Sequence, residues 1–99
     1  MIKVKNIILT CIACPAQWEG ITEDNCIVYI RYRHGKLRIH KGLPGYDIKD
    51  TLKSDRIIFE KTLTTEDDGW LDYEDLKIIA KDLLELPEIE DVFSEDTHI

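Results

Sequence analysis

The order of apolar and polar positions predicts strands through most of the chain and one helix near its end. Residues 2–10 alternate and then run apolar through Ile7-Ile8-Leu9, the pattern of a strand. Pro15 interrupts, and residues 17–22, with β-branched Ile21 and Thr22, read as a second short strand before the polar turn Glu23-Asp24-Asn25. Residues 26–33 form a strong β-branched and aromatic run, residues 36–41 follow it, and residues 56–63 return to strand character. Residues 43–55, with a proline, a glycine and acids, read as a loop. Over residues 72–86 the period changes: Leu76, Ile79, Ala80, Leu83 and Leu84 recur at helical spacing, Asp72 stands where an N-cap belongs, and Pro87 marks the stop. The expected fold is therefore α+β, a small antiparallel sheet of four or five strands packed against one C-terminal helix. One domain over residues 1–87 is expected to be followed by an acidic tail, 88–99, with Val92 and Phe93 as its docking candidates.

The tightest local signal lies between the third and fourth strands. Only His34-Gly35 separates Arg33 from Lys36, and a two-residue hairpin turn needs positive φ, which glycine supplies freely and histidine tolerates better than most. That turn sets Arg33 opposite Lys36, Tyr32 opposite Leu37, Arg31 opposite Arg38, Ile30 opposite Ile39 and Tyr29 opposite His40. Period-two alternation then places Val28, Ile30, Tyr32, Leu37 and Ile39 on the core. Tyr29, Arg31, Arg33, Lys36, Arg38 and His40 fall on the other face.

Charge sharpens that picture. The chain carries 13 Lys+Arg against 20 Asp+Glu, yet no acid occurs from Cys26 to Tyr46. Residues 1–42 hold 7 basic and 3 acidic residues, about +4; residues 43–99 hold 6 and 17, about -11. Like charges directly opposite on a sheet destabilise it by a few tenths to ~1 kcal/mol per pair. Two such pairs call for an anion. Either the chain provides it, through Glu19, Glu60 or the acidic loop Glu66-Asp67-Asp68, or the ligand does. In the second case Arg31 and Arg33 grip a phosphate or carboxylate with their planar forks, while Tyr29 or Trp18 stacks on a base. A net charge of -7 and a small basic footprint favour a compact anion, such as a nucleotide, over direct binding of long nucleic acid.

Other motifs carry less chemistry. Cys11-Ile12-Ala13-Cys14 has the Cys-x-x-Cys spacing of half a zinc site or a redox pair, with Cys26, His34 and His40 as the remaining ligand candidates. No second ligand pair at metal spacing exists, so buried structural cysteines are expected and neither metal nor cofactor. Asp68-Gly69-Trp70-Leu71-Asp72 resembles the second half of a calcium-binding loop, but Thr64 and Asp75 stand where its first Asp and last Glu are required. The expectation is a turn at Gly69, with Trp70 and Leu71 anchored in the core and Asp72 capping the helix. No catalytic constellation occurs, so a binding protein rather than an enzyme is expected. No apolar run approaches the ~20 residues of a membrane span. Three cysteines and the lack of a signal-peptide pattern point to the cytoplasm.

Three segments in order, Cys14-Pro15-Ala16-Gln17-Trp18, Tyr29-Ile30-Arg31-Tyr32-Arg33-His34-Gly35 and Asp68-Gly69-Trp70-Leu71 before an acidic helix, resemble a group of small bacteriophage proteins. These carry Cys-Pro-x-Gln-aromatic, Tyr-x-Arg-x-Arg-His-Gly and Asp-Gly-x-hydrophobic motifs. The group has a glycine-containing turn before the Tyr-x-Arg strand, where this chain has Glu23-Asp24-Asn25-Cys26. The resemblance implies a phage accessory protein acting in the bacterial host's cytoplasm, without an assigned activity. It frames two roles. The first is sequestering an anionic, nucleotide-type defence signal through Gln17, Trp18, Tyr29, Arg31, Arg33, His34 and Arg38, with Gln17 supplying amide donors and acceptors. The second is inhibiting a basic host defence protein, in the manner of an anti-CRISPR or DNA mimic, through Glu66, Asp67, Asp68, Asp72, Glu74 and Asp75. A virion or assembly protein without a ligand is the plain alternative. The subunit count stays open, with a second copy as one way to complete a pocket.

Overall fold

Strand pairing in the computed structural model, which describes residues 1–12, 15–66 and 68–92, begins with the hairpin the sequence announces. β1 (Ile2–Cys11), β2 (Ala16–Thr22), β3 (Ile27–Arg33) and β4 (Lys36–Lys41) pair antiparallel in chain order, and β5 (Ile57–Thr62) adds to the edge of β4. The register of β3 on β4 is the expected one at every position from Tyr29↔His40 to Arg33↔Lys36. His34 and Gly35 both take positive φ, 53° and 74°. Asn25 does the same at 65° in the turn between β2 and β3, a conformation asparagine visits more readily than most residues.

The fold class is α+β as expected, but two parts of the architecture correct the sequence reading. The sheet has seven strands and is mixed, not purely antiparallel: β6 (Leu84–Glu85) and β7 (Asp91–Val92) both run parallel to β1, against Ile2–Lys3 and Ile8–Leu9. The helix expected over 72–86 is α2 (Tyr73–Ile79), and the chain leaves it at Ala80. Free backbone at the edge of β1 explains the change. Ile2 N–H donates to Leu83 O at 3.0 Å, so residues after Ala80 exchange helical bonds for a strand pair. The apolar stripe still marks the core, because Leu76, Ala80 and Leu84 are all buried and Ile79 and Leu83 pack on them. A helical period is thus satisfied by a short helix, a turn and a strand.

The segment 43–55 also differs from a plain loop. It contains α1 (Ile48–Thr51), closed by a capping box in which the Asp47 side chain accepts from Asp50 N and Asp47 N donates back to Asp50. The acidic stretch after Pro87 is tied to the domain as far as Val92, through β7 and through Tyr73 Oη donating to Pro87 O at 2.5 Å; Phe93 lies outside the described residues. None of the helices is long and apolar enough to cross a membrane among the described residues.

The core face collects Trp18, Val28, Ile30, Tyr32, Leu37 and Ile39 from the central strands and Leu76 from α2. In β1 the buried positions are Val4 and Ile7, three apart, because a bulge between Val4 and Asn6 shifts the phase of the strand. At the hairpin tip the loop after β5 closes over Gly35. Its N–H donates to Asp68 O at 2.8 Å and its carbonyl accepts from Leu63 N at 2.8 Å. A Cβ on Gly35 would lie 2.2 Å from Thr64 O and 2.8 Å from Glu66 O. Replacing Gly35 with Ala therefore combines a left-handed conformation costing about 1–2 kcal/mol with a clash against fixed backbone. We expect Gly35→Ala to lose more than about 2 kcal/mol of stability in urea unfolding; a loss of a few tenths would contradict the clasped turn.

Candidate anion-binding site

Strand register builds the candidate site as rows across the face opposite the core. One row runs Cys11, Gln17, Arg31, Arg38, Glu60 from β1 to β5. The next runs Ile8, Glu19, Tyr29, His40, Ile57, and at the hairpin tip Arg33, Lys36 and Thr62 stand together. Two like-charge pairs, Arg31↔Arg38 and Arg33↔Lys36, thus stack on successive rows of one ribbon.

Among the described residues, the chain's own acids neutralise only part of this. Glu60 accepts from Arg38 Nε at 2.6 Å, a pair about two-fifths exposed that contributes little stability. Asp68, the described acid of the neighbouring loop whose backbone touches the turn, spends its carboxylate elsewhere: Oδ2 accepts from Tyr32 Oη at 3.0 Å and Oδ1 from Trp70 N at 3.1 Å. Among the described residues, no carboxylate forms an ion pair with Arg31, Arg33 or Lys36. Arg31 Nε is buried and has no hydrogen-bond partner among the described residues. A buried charge-bearing donor without an acceptor is costly, and such groups are rare outside sites that receive one. Arg31, Arg33, His34, Lys36 and Arg38 line an open concavity of about 380 Å³.

Set beside known proteins, the chain matches no family model, no curated protein and no solved structure. Its chemistry therefore has to be read from its own geometry.

Of the residues the sequence nominated, Arg31, Arg33, His34 and Arg38 do converge on this concavity. Trp18 does not. It is opposite Ile30, on the core face, 1% exposed, and its indole N–H donates to Glu90 Oε1 at 2.9 Å. It is a core residue and offers no stacking surface. Tyr29 is on the expected face but buried, with its hydroxyl donating to Gln17 Oε1 at 2.9 Å and its ring edge-on to His40 at 6.0 Å. Burial, against Arg31 and with Glu19, raises its pKa and keeps it a neutral donor. Gln17 is held by that bond beside Arg31 and positions Tyr29. The sequence missed Lys36 and His40 as site residues, although alternation put both on the right face.

The other nominated groups fall apart in space or are already engaged. Cys26 is fully buried with Sγ beside Asp24, at the far end of β3 from the hairpin turn, while Cys11 is half-buried opposite Gln17; Cys14 lies outside the described residues. Among the described residues no group of three or more His, Cys, Asp or Glu is placed to hold a metal ion. Trp70 is 55% exposed rather than anchored in the core, and Asp72 begins α2 without a side-chain capping bond. Glu66, Asp72, Glu74 and Asp75 are exposed, Glu74 pairing with Lys77 at 3.1 Å; Asp67 lies outside the described residues. Tyr73, beneath them, is pushed up to about 12 by burial and by Glu90, Glu74 and Glu88.

His40 gives this face a pH signature. It is 6% exposed, Nδ1 has no partner among the described residues, and burial followed by Arg38 and Arg31 lowers its pKa below 6.5. Above that value both folded and unfolded chains hold it neutral. Below it the unfolded chain takes up a proton the folded one resists, so its contribution falls as pH drops from 6.5 towards the folded pKa. We expect the stability difference between the native chain and His40→Gln to shift against the native chain between about pH 7.5 and about pH 5.5. A difference independent of pH, read from urea unfolding, would refute it.

Proposed function

We propose that this chain is a binding protein that sequesters a small phosphate-bearing anion, of nucleotide type, on the outer face of the β3–β4 hairpin. The observation that carries this reading is a set of cations with no ion pair among the described residues: Arg31, whose Nε is buried and has no described partner, with Arg33 and Lys36. Guanidinium forks donate to two oxygens of one phosphate, and a flexible ammonium beside them adds a point charge. Recognition rests on the phosphate end, because Trp18 and Tyr29 are taken up inside the fold and leave the base no aromatic platform from those two residues. The net charge of -7 keeps long polyanions away while a compact one reaches the local cluster. The resemblance to small phage proteins supplies the setting: an accessory, anti-defence role in the bacterial cytoplasm, exercised by holding a signal rather than by converting it.

One observation favours a second reading. Asp72, Glu74, Glu88 and Glu90 surround a concavity of about 340 Å³ at the start of α2, which with exposed Asp75 gives an acidic surface for a basic defence protein. Calorimetric titration with inorganic pyrophosphate separates the two. The native chain is expected to bind it, and Arg31→Ala with Arg33→Ala to weaken binding about a hundredfold or more, since each charge-assisted contact is worth roughly 1.5–3 kcal/mol. Charge reversal at Asp72, Glu74 and Asp75 is expected to leave pyrophosphate binding in place. Equal heats from the native and doubly substituted chains would sink the anion reading.

A further inference from the structure

We infer that the anion site is proton-coupled through His40: filling the concavity raises the proton affinity of the imidazole behind it, and acid in turn tightens the hold on the anion. This rests on the anion-binding reading above and adds a regulation to that site. The geometry supplies the link. His40 follows Arg38 by two residues on β4, and its cross-strand partner Tyr29 precedes Arg31 by two on β3, so both arginines are next-row neighbours of the imidazole on one face. The same two guanidinium groups line the concavity. His40 itself is not among the lining residues; it lies a row deeper, with Nδ1 buried and partnerless.

Without an anion His40 faces two cations, and no described carboxylate pairs with it. The groups around it are few. β2 brings Gln17 and Glu19 to the face, β3 brings Tyr29 and Arg31, and β5 brings Ile57 opposite it and Glu60, which is already committed to Arg38. Arg56, before β5, donates to Lys41 O at 3.1 Å, and Lys41 pairs with Asp24 at 3.9 Å. α1, against β3, carries Lys49 and Asp50, the latter engaged by Asp47 N and near Lys53. Glu19 is thus the one acid of the His40 row, two strands away across Tyr29. It does not offset the arginines, which together with burial hold the imidazole neutral.

An anion on Arg31 and Arg38 cancels the electrostatic part of that opposition and leaves the burial part. The imidazole then titrates at higher pH than without the anion. By linkage, a ligand that raises a group's pKa by one unit binds about tenfold more tightly to the protonated form. The device converts mild acidification into tighter capture, in the range where histidine charge changes.

Sulfate is the probe of choice, because it keeps its double charge where imidazole titrates and so contributes no proton of its own. The experiment follows the imidazole resonances of the native chain by NMR from about pH 8 to about pH 5, with and without sodium sulfate, at ionic strength matched with chloride. His34→Gln and His40→Gln assign the signals and separate the lining His34 from the deeper His40. The expected result is a His40 midpoint that moves up by several tenths of a unit to about one unit in sulfate, and a sulfate affinity that rises several-fold on acidification in His34→Gln but not once His40→Gln is added. Sulfate-induced shifts at Arg31 with an unmoved His40 midpoint would overturn the coupling and leave the anion site standing. No sulfate-dependent shift at Arg31, Arg33 or Lys36 would overturn both.

Discussion

The clasp on the His34-Gly35 turn is the constraint on which the rest of the molecule depends. Two left-handed residues fix the hairpin register, and the backbone of Leu63, Thr64 and Asp68 bonds to both sides of Gly35. A slip by one residue would send Ile30, Tyr32, Leu37 and Ile39 out of the core and their charged neighbours in. The core therefore enforces the basic face. Arg31 cannot leave Arg38, nor Arg33 leave Lys36, without giving up the burial that holds the sheet together.

That coupling explains how a face with unfavourable charge persists. Opposed like charges cost up to about 1 kcal/mol per pair, whereas burying a single large aliphatic side chain contributes roughly 1.5–3 kcal/mol. With Ile30, Leu37 and Ile39 all fully buried beneath the ribbon, packing outweighs repulsion and the cations are held ready. Glu60 relieves one edge of the cluster, and its partly exposed pair with Arg38 leaves the middle open. Asp68, whose backbone bonds to the turn, has its carboxylate drawn into structural work by Tyr32 and Trp70 N.

Local rules made the hairpin legible: a two-residue turn, strict alternation, and partners close in sequence. Long-range pairing was less so. Nothing within residues 80–86 signals that the β1 edge will capture Leu84, since the same apolar spacing serves a helix or a helix-turn-strand. The bulge in β1 is equally silent. Trp18 was misplaced because the face of β2 depends on its register with β3: only when Gln17 is set opposite Arg31 does Trp18 fall opposite Ile30 and into the core. Tyr29 and His40 were read as surface because alternation gives a side of the sheet, not a depth. Their row lies in mid-sheet, enclosed by Glu19, Ile57 and the arginines, and burial follows from that position. The short helix α1 was the exception, since its Asp47-x-x-Asp50 spacing carried a capping signal that went unread.

The central claim is that Arg31 and Arg33 are cations awaiting an anion. It is tested most directly by the thermal midpoint of the native chain and of Arg31→Met with Arg33→Met, measured against sulfate at ionic strength matched with chloride. Sulfate stabilises most proteins by exclusion from their surface, so the general effect appears in both chains. The account predicts an additional, saturating rise in the native chain alone, as site binding requires, and a substituted chain at least as stable as the native one without sulfate. Parallel rises in the two chains, with the substituted one the less stable throughout, would show that the arginines serve the fold and hold no anion.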